Sequence, residues 1–338
     1  MVGLSVVAIV SATAGALFAV SLGTTPLMQS QLSSEESSVF KEERIASRPT
    51  FQLPQLSRPV NILLLGTKVL TTDLNDPPPE LKNLGYHALV NSFEGLTDTM
   101  LLLRFNPETQ RTIVLSIPRD TRTYVQGHGV TKINAANVYG GPALSAVAIS
   151  ELLGGVGIDR YVRINVQGVE KLVDALGGLT IKVPKDMKYQ DDSQHLYINL
   201  KAGKHHLNGN QVMQLLRFRY DGLGDIGRIQ RQQLVMRALV EQALNPLTIA
   251  RLPQIISVVQ SHLDTNLSVE ELFALASFAS GTKRSQMQTL TLPGDFSSSD
   301  AYDTSYWLPD RDRIQLMMSR HFDLADNIKQ VSQHSEVP

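Results

Sequence analysis

The chain has 338 residues, 42% of them hydrophobic, a formal net charge of −1 and no cysteine. That length and apolar content suffice for one large α/β core with a smaller appendage. The charge balance excludes a generally basic nucleic-acid-binding surface, so any anion site has to come from local clustering; the missing cysteine excludes disulfides, thiolate metal sites and thiol nucleophiles.

Residues 1–23 (MVGLSVVAIVSATAGALFAVSLG) carry no charged side chain, and the first in the chain is Glu35. As a helix this stretch reaches about 34 Å, enough to cross a hydrocarbon core of about 30 Å. It reads as an uncleaved transmembrane anchor. A cleavable signal peptide is the alternative, with Ala12-Thr13-Ala14 as its cleavage triplet. No Lys or Arg precedes the stretch, so the positive-inside rule does not orient it. Residues 24–58 are rich in Ser, Gln, Glu and Pro and read as a flexible tether.

From residue 59 the texture changes, and 59–245 reads as the catalytic domain. Val60–Leu65 (VNILLL), apolar but for Asn61, is a run suited to a strand buried on both faces. Residues 71–97, with Pro77-Pro78-Pro79, read as a surface excursion. Thr99–Phe105 and Thr112–Ile117 are β-rich runs joined by Asn106-Pro107-Glu108-Thr109, a hairpin signal. Gly140-Gly141-Pro142 then opens a helix with Pro in its first turn. Tyr161–Val166 is a strand, Gly168–Leu176 a helix stopped by Gly177-Gly178, and Leu179–Val183 another strand. This alternation predicts an α/β sandwich with a central, mostly buried sheet. Asn208 caps a short helix, and Asp225 opens a longer one to about Ala243. Residues 246–322 read as a C-terminal helical extension packing on the core, with an apolar run at Gln288–Leu292; 323–338 read as a loose tail.

Three basic clusters stand out from the neutral background. They are Ser116–Arg122 (SIPRDTR), Thr131–Asn134 (TKIN), and Leu216–Gln233, which holds Arg217, Arg219, Arg228 and Arg231 with Asp221 and Asp225. A charge run is by default a solvated face. The third cluster differs because residues 225, 228 and 232 share one face of a helix, near an N-terminus that favours anions. Planar guanidinium forks suit phosphate oxygens. Carboxylates among them either pair with the arginines or hold Mg²⁺. Gly222–Gly227 matches G-x-G-x-x-G but follows RFRYD rather than an apolar strand, which argues against a dinucleotide site. No zinc-hydrolase histidine spacing and no G-x-S-x-G elbow is present. Trp307 reads as a packing residue.

Five segments in order resemble the LytR-CpsA-Psr family. They are the apolar strand ending in Gly66, T-D-T-M-L-L at Thr97–Leu102, S-I-P-R-D-T at Ser116–Thr121, K-I-N-A-A-N-V-Y-G-G at Lys132–Gly141, and the run Arg217–Gln233. The resemblance implies a three-layer α/β/α sandwich with a central mixed sheet, carried outside the cytoplasm by a single-pass anchor in the cell membrane. It implies a phosphotransferase that moves a glycopolymer from a polyprenyl-pyrophosphate carrier onto peptidoglycan or another cell-envelope acceptor, with Mg²⁺ as cofactor; the lack of a basic stripe and the anchor ahead of the domain argue against a nucleic-acid partner. By the same resemblance Asp98 is a magnesium ligand. Arg119, Lys132, Arg217 and Arg219 belong to the pyrophosphate clamp, and Asp225, Arg228 and Gln232 complete the head-group site. The family's G-x-D after the first strand is here Gly66-Thr67-Lys68. The second metal ligand is then Asp73, Asp76 or Glu94, or Lys68 replaces part of the ion's charge. Asp225 is the candidate general base and Asp120 the runner-up; alternatively both are ion-pair partners that orient Arg228 and Arg122. A polyprenyl-pyrophosphate phosphatase and a non-catalytic lipid-binding regulator are the competing readings.

Overall fold

The computed structural model describes residues 31–47, 54–68, 93–191, 196–218, 224–243, 248, 252–298 and 301–324. The predicted anchor at 1–23 lies outside them. Among the described residues no helix is long and apolar enough to cross a membrane. The chain divides into two compact units. One takes Gln31–Ser47, Leu56–Val166 and everything from Thr282 onward; the other is centred on Gln167–Gly281.

The first unit is an α/β fold around a mixed sheet. Its strands are β1 (Val60–Lys68), β2 (Leu96–Asn106), β3 (Arg111–Ser116), the hairpin pair β4 (Arg122–Val125) and β5 (Gly129–Lys132), and β6 (Arg160–Ile164), followed late in the chain by Met287–Thr291. Hydrogen bonding orders the sheet β6-β1-β2-β3-(Met287–Thr291) within this unit. β1 pairs parallel with β6 and antiparallel with β2, β2 antiparallel with β3, and β3 parallel with Met287–Thr291. Val60, Ile62, Leu63 and Leu65 are all buried, which is why β1 reads as an apolar run, interrupted by Asn61, rather than an alternating one. The β2–β3 hairpin forms as predicted: Asn106 Oδ1 accepts from the amides of Glu108 and Thr109, and Gln110 takes the left-handed conformation that closes the turn.

Helix α2 (Ala136–Leu152) starts one turn earlier than the sequence predicts. It breaks at Gly140-Gly141, where Gly141 has φ +58°, so Pro142 still occupies the first turn of the straight portion. Ala146, Ile149 and Leu152 of α2 pack with Leu63, Leu65, Met100, Leu102 and Leu115 in the core.

Two segments depart from their sequence-based expectations. Part of the predicted tether is folded. α1 (Ser34–Ser38) begins with a capping box between Ser33 and Glu36, and Phe40 and Ile45 are buried. The Phe40 ring lies 5.0 Å from that of Tyr161, and each such burial contributes about 1.5–3 kcal/mol. The region expected as a helical extension also does not form one body. Residues 246–281 fall in the second unit, whereas Met287–Thr291 adds a strand to the first unit's sheet. Leu292, Ile314, Met317 and Met318 then join the same core as β1 and β2. Trp307 packs against that core, as expected of it.

In the second unit, helix α3 (Val166–Ala175) is stopped at Gly177 and Gly178, both at positive φ. Strand β7 (Leu179–Val183) follows and pairs antiparallel with β10 (Gly203–Leu207), while β8 (Met187–Asp191) pairs with β9 (Leu196–Leu200). Helix α4 (Gly209–Arg217) is capped by Asn208, which exchanges side-chain and backbone hydrogen bonds with Gln211. Val173, Leu179, Ile181, Leu207, Val212, Leu215 and, from helix α5 (Gly224–Ala243), Val235 make its core.

This unit also buries His262, whose Nε2 lies 2.7 Å from Lys171 Nζ. An ammonium can only donate, so the imidazole is neutral and accepts. Burial, and then the Lys171 charge, hold His262 below its ordinary value of 6.5. The unfolded chain therefore binds a proton first as pH falls. The stability contributed by neutral His262 is complete above pH 6.5 and declines as pH drops from there toward its lower folded value. Urea midpoints at pH 7.5 and 5.5 test this: the acid loss should be smaller in His262→Gln than in the parent.

Candidate functional site

Within the first unit, β1, β3, β6 and Met287–Thr291 run in one direction and β2 runs against them. The carboxyl ends of four strands and the start of β2 therefore share one edge. In open α/β sheets that edge is where ligands bind.

Asp98 is presented there by an irregularity. Gly66 pairs with Thr99 and Thr67 with Thr97, so Asp98 is the extra residue of a β-bulge in β2. The bulge sits against Gly66, where an added methyl would come within 3.1 Å of Thr99 Cβ. Buried Thr97 donates to the Asn134 carbonyl (3.4 Å), and Asn137 Nδ2 donates to the carbonyls of Phe93 and Gly95, each at 2.7 Å. Arg163 Nη1 donates to Asn137 Oδ1 (3.2 Å) and its guanidinium lies over Phe93. The approach to Asp98 is thus tied to α2 through Asn137 and to β6 through Arg163.

Arg119 and Asp120 come from the end of β3. Ile117 N still donates to Met100 O, but Pro118 has no N–H and ends the ladder. Thr121, fully buried, returns both its N–H and its hydroxyl to Pro118 O. Three backbone bonds close the turn: Ile133 N to Thr121 O, Asn134 N to Arg119 O, and Trp307 N to Asp120 O. Arg119 and Asp120 therefore stand on a rigid corner.

Four charges then alternate. Arg119 Nη1 reaches Asp98 Oδ1 at 2.7 Å, its Nε reaches Asp120 Oδ2 at 3.2 Å, and Lys132 Nζ reaches Asp120 Oδ1 at 2.8 Å. Their side chains are 13–27% exposed, so the row is half-sunk in the surface and keeps contact with solvent. It sums to zero charge, and a diphosphate bound beside it needs further positive charge. Arg122 and Arg163 of this unit are protein sources, and a divalent cation is another. The alternative pairing of Asp120 with Arg122 is not what the structure shows. Asp120 takes Arg119 and Lys132, while Arg122 lies over the rings of Tyr302 (5.3 Å) and Tyr306 (5.9 Å).

The structure therefore brings together Asp98, Arg119, Asp120 and Lys132. Arg217, the last residue of α4, and Gln232, on α5, are half-buried in the second unit. Arg219 lies outside the described residues, as do the side chains of Asp225 and Arg228 on α5. Arg231 serves packing: it is buried, donates from Nη2 to Phe218 O at 2.5 Å and lies over the Phe218 ring.

Asp98 and Asp120 offer hard oxygen donors of the kind Mg²⁺ takes. Among the described residues no three His, Asp or Glu gather round one point. Glu94 is exposed, and Asp73, Asp76 and the Lys68 side chain lie outside the described residues. Mg²⁺ is commonly held by one or two carboxylates with substrate phosphates completing its shell, and the donor set fits an ion of that kind.

Asn137, Arg163, Tyr302 and Tyr306 are absent from the sequence-based set. Asn137 was inside a quoted motif, and Arg163 is a charged residue in a strand that otherwise reads as buried; nothing in the sequence near Tyr302 points to the site.

A model of the LytR_cpsA_psr family matches residues 25–322, extending beyond the motif-bearing stretch at both ends. The chain is 31% identical over 202 residues to "Regulatory protein MsrR" of Staphylococcus aureus (strain COL), a match covering 59% of this chain and 60% of that protein. It is 32% identical over 242 residues to the "Polyisoprenyl-teichoic acid--peptidoglycan teichoic acid transferase TagU" of Oceanobacillus iheyensis, covering 70% and 67%. The crystal structure of Bacillus subtilis TagV matches with a TM-score of 0.64 at 26% identity, over 79% of this chain and 98% of that one. With the family's pattern spanning nearly the whole described chain, this protein belongs to the LytR_cpsA_psr family.

Proposed function

We propose that this chain is a phosphotransferase that moves a glycopolymer from a polyprenyl-pyrophosphate carrier onto peptidoglycan, working outside the cytoplasm from a membrane anchor at residues 1–23. The relatives titled teichoic acid transferases support this reading. The observation that carries it is the alternating row Asp98–Arg119–Asp120–Lys132 on a rigid corner at the ligand-binding edge of the sheet. The full α/β/α sandwich of the family belongs to the same reading.

In the reaction, an acceptor hydroxyl oxygen attacks the phosphorus that bears the glycan. The bond from that phosphorus to the bridging oxygen breaks, polyprenyl phosphate leaves with the electron pair, and the hydroxyl proton passes to a base. Little covalent chemistry falls to the protein, so positioning and charge stabilisation dominate. Arg119 and Lys132 hold phosphoryl oxygens. Asp98 holds Mg²⁺, which supplies charge neutralisation on the phosphates when bound. Asp225 is the assigned base. Asp120 is already engaged by both Arg119 and Lys132, which supports an orienting role for it.

The test uses the full chain in detergent with Mg²⁺, a labelled polyprenyl-pyrophosphate-linked glycan and peptidoglycan. Label should appear on peptidoglycan as polyprenyl phosphate accumulates. Release of glycan phosphate alone identifies a phosphatase instead. Carrier binding without turnover identifies a regulator, the reading that the name of the Staphylococcus aureus relative favours.

A further inference from the structure

The hairpin β4–β5 carries an unusual outer face. Thr123 and Val125 point inward and are buried, so Arg122 and Tyr124 occupy the other face, where the register sets them opposite Lys132 and Val130. Two cations directly across a strand pair repel. Lys132 has the Asp120 carboxylate to offset this. Among the described residues Arg122 has no carboxylate partner; its guanidinium lies over Tyr302 and Tyr306, and the Lys132 ammonium also lies 5.6 Å from the Tyr306 ring centre. The two tyrosines meet edge to face at 5.3 Å. Tyr306 is held by the late hairpin formed by Gly294–Phe296 and Trp307–Pro309: Ser297 N donates to Tyr306 O (2.8 Å) and Tyr306 N donates to Ser297 Oγ (3.0 Å). Its next residue, Trp307, bonds the Asp120 carbonyl, so this aromatic surface is continuous with the charged row. Tyr302 remains 38% exposed.

A planar donor with no carboxylate partner among the described residues, flanked by two rings of which one stays open to solvent, matches the needs of one ligand chemistry. A sugar ring has an apolar C–H face that packs on an aromatic ring and a rim of hydroxyls that accept from guanidinium N–H groups. We propose that Tyr302, Tyr306 and Arg122 form a carbohydrate subsite that seats one sugar ring beside Asp120. The assignment rests on the transfer reading of the charged row and adds to it a site for the glycan. The ring comes either from the peptidoglycan acceptor or from the polymer on the carrier.

Binding of two lipid-free probes to the full chain, measured calorimetrically without turnover, separates these sources: muramidase-released peptidoglycan oligosaccharides, and the donor glycan as its monophosphate. Tyr302→Ala should weaken at least one of them about tenfold, by loss of an aromatic face. Arg122→Gln should weaken the same one, and Tyr306→Phe, which keeps the ring, should weaken it less than either. A loss confined to the oligosaccharides assigns the acceptor; a loss confined to the monophosphate assigns the polymer. Unchanged affinity for both probes in Tyr302→Ala, with the parent's urea midpoint, overturns the subsite, as does failure of the parent to bind either. Because no turnover is read, a subsite can be found in a chain that transfers nothing, and the two proposals fail separately.

Discussion

Arg119→Ala should lower glycan transfer about 100- to 1,000-fold, the usual cost of removing one preorganised donor from a developing phosphoryl charge. Arg119 is the hinge of the charged row, since it is the only member that touches both carboxylates. Its loss removes a phosphate ligand and also takes away the cation that bridges the Asp98 and Asp120 carboxylates. Arg119→Lys separates the two effects. It keeps the charge but not the planar fork, so it should restore stability more than activity. Because the row is partly exposed, the stability cost of either variant should be small. Urea unfolding beside initial transfer rates makes the comparison, and a folded Arg119→Ala chain within about threefold of the parent rate would remove Arg119 from the mechanism.

Asp159→Asn should destabilise the first unit by about 3 kcal/mol, at the lower end for a broken buried ion pair. Asp159 is 1% exposed and sits just before β6. Its Oδ1 takes Arg58 Nη1 at 2.7 Å and its Oδ2 takes the backbone N–H of Asn61 at 2.6 Å, with Lys41 at 4.0 Å. Asparagine keeps the shape but turns one acceptor into a donor facing a guanidinium or an amide. This network lies at the amino end of β1, away from Asp98. Transfer rate per folded molecule should therefore stay near the parent value while the urea midpoint falls; an unchanged midpoint would show that Arg58 finds water instead.

The charged row was partly legible in the sequence because each half lies in a compact motif. S-I-P-R-D-T marks its own strand end through Pro118, and K-I-N follows after a short hairpin. The bulge at Asp98 was not legible, since it depends on the register of β1 against β2, two strands that do not follow each other closely in the sequence. Phe40 and Ile45 were hidden by polar neighbours, and two buried side chains in a polar stretch give no period to read. Gln288–Leu292 was visible as an apolar run, but a single short strand cannot be told from a helix segment by periodicity when its partner lies far upstream. Arg217 was chosen because it matches the family's R-x-R, and Gln232 because residues 225, 228 and 232 share one face of a helix; both belong to the second unit.

The addition of Met287–Thr291 beside β3 has a consequence for biosynthesis. Most of the second unit is the single run Gln167–Gly281, which can collapse before the late strand exists. The sheet cannot finish until its last ribbon has been made, which leaves the β3 edge uncovered while more than a hundred further residues are translated. Nascent chains halted before Pro293 should therefore be far more protease-sensitive in β1–β3 than released ones, and the tail of this protein acts as the closing stave of a structure begun at its other end.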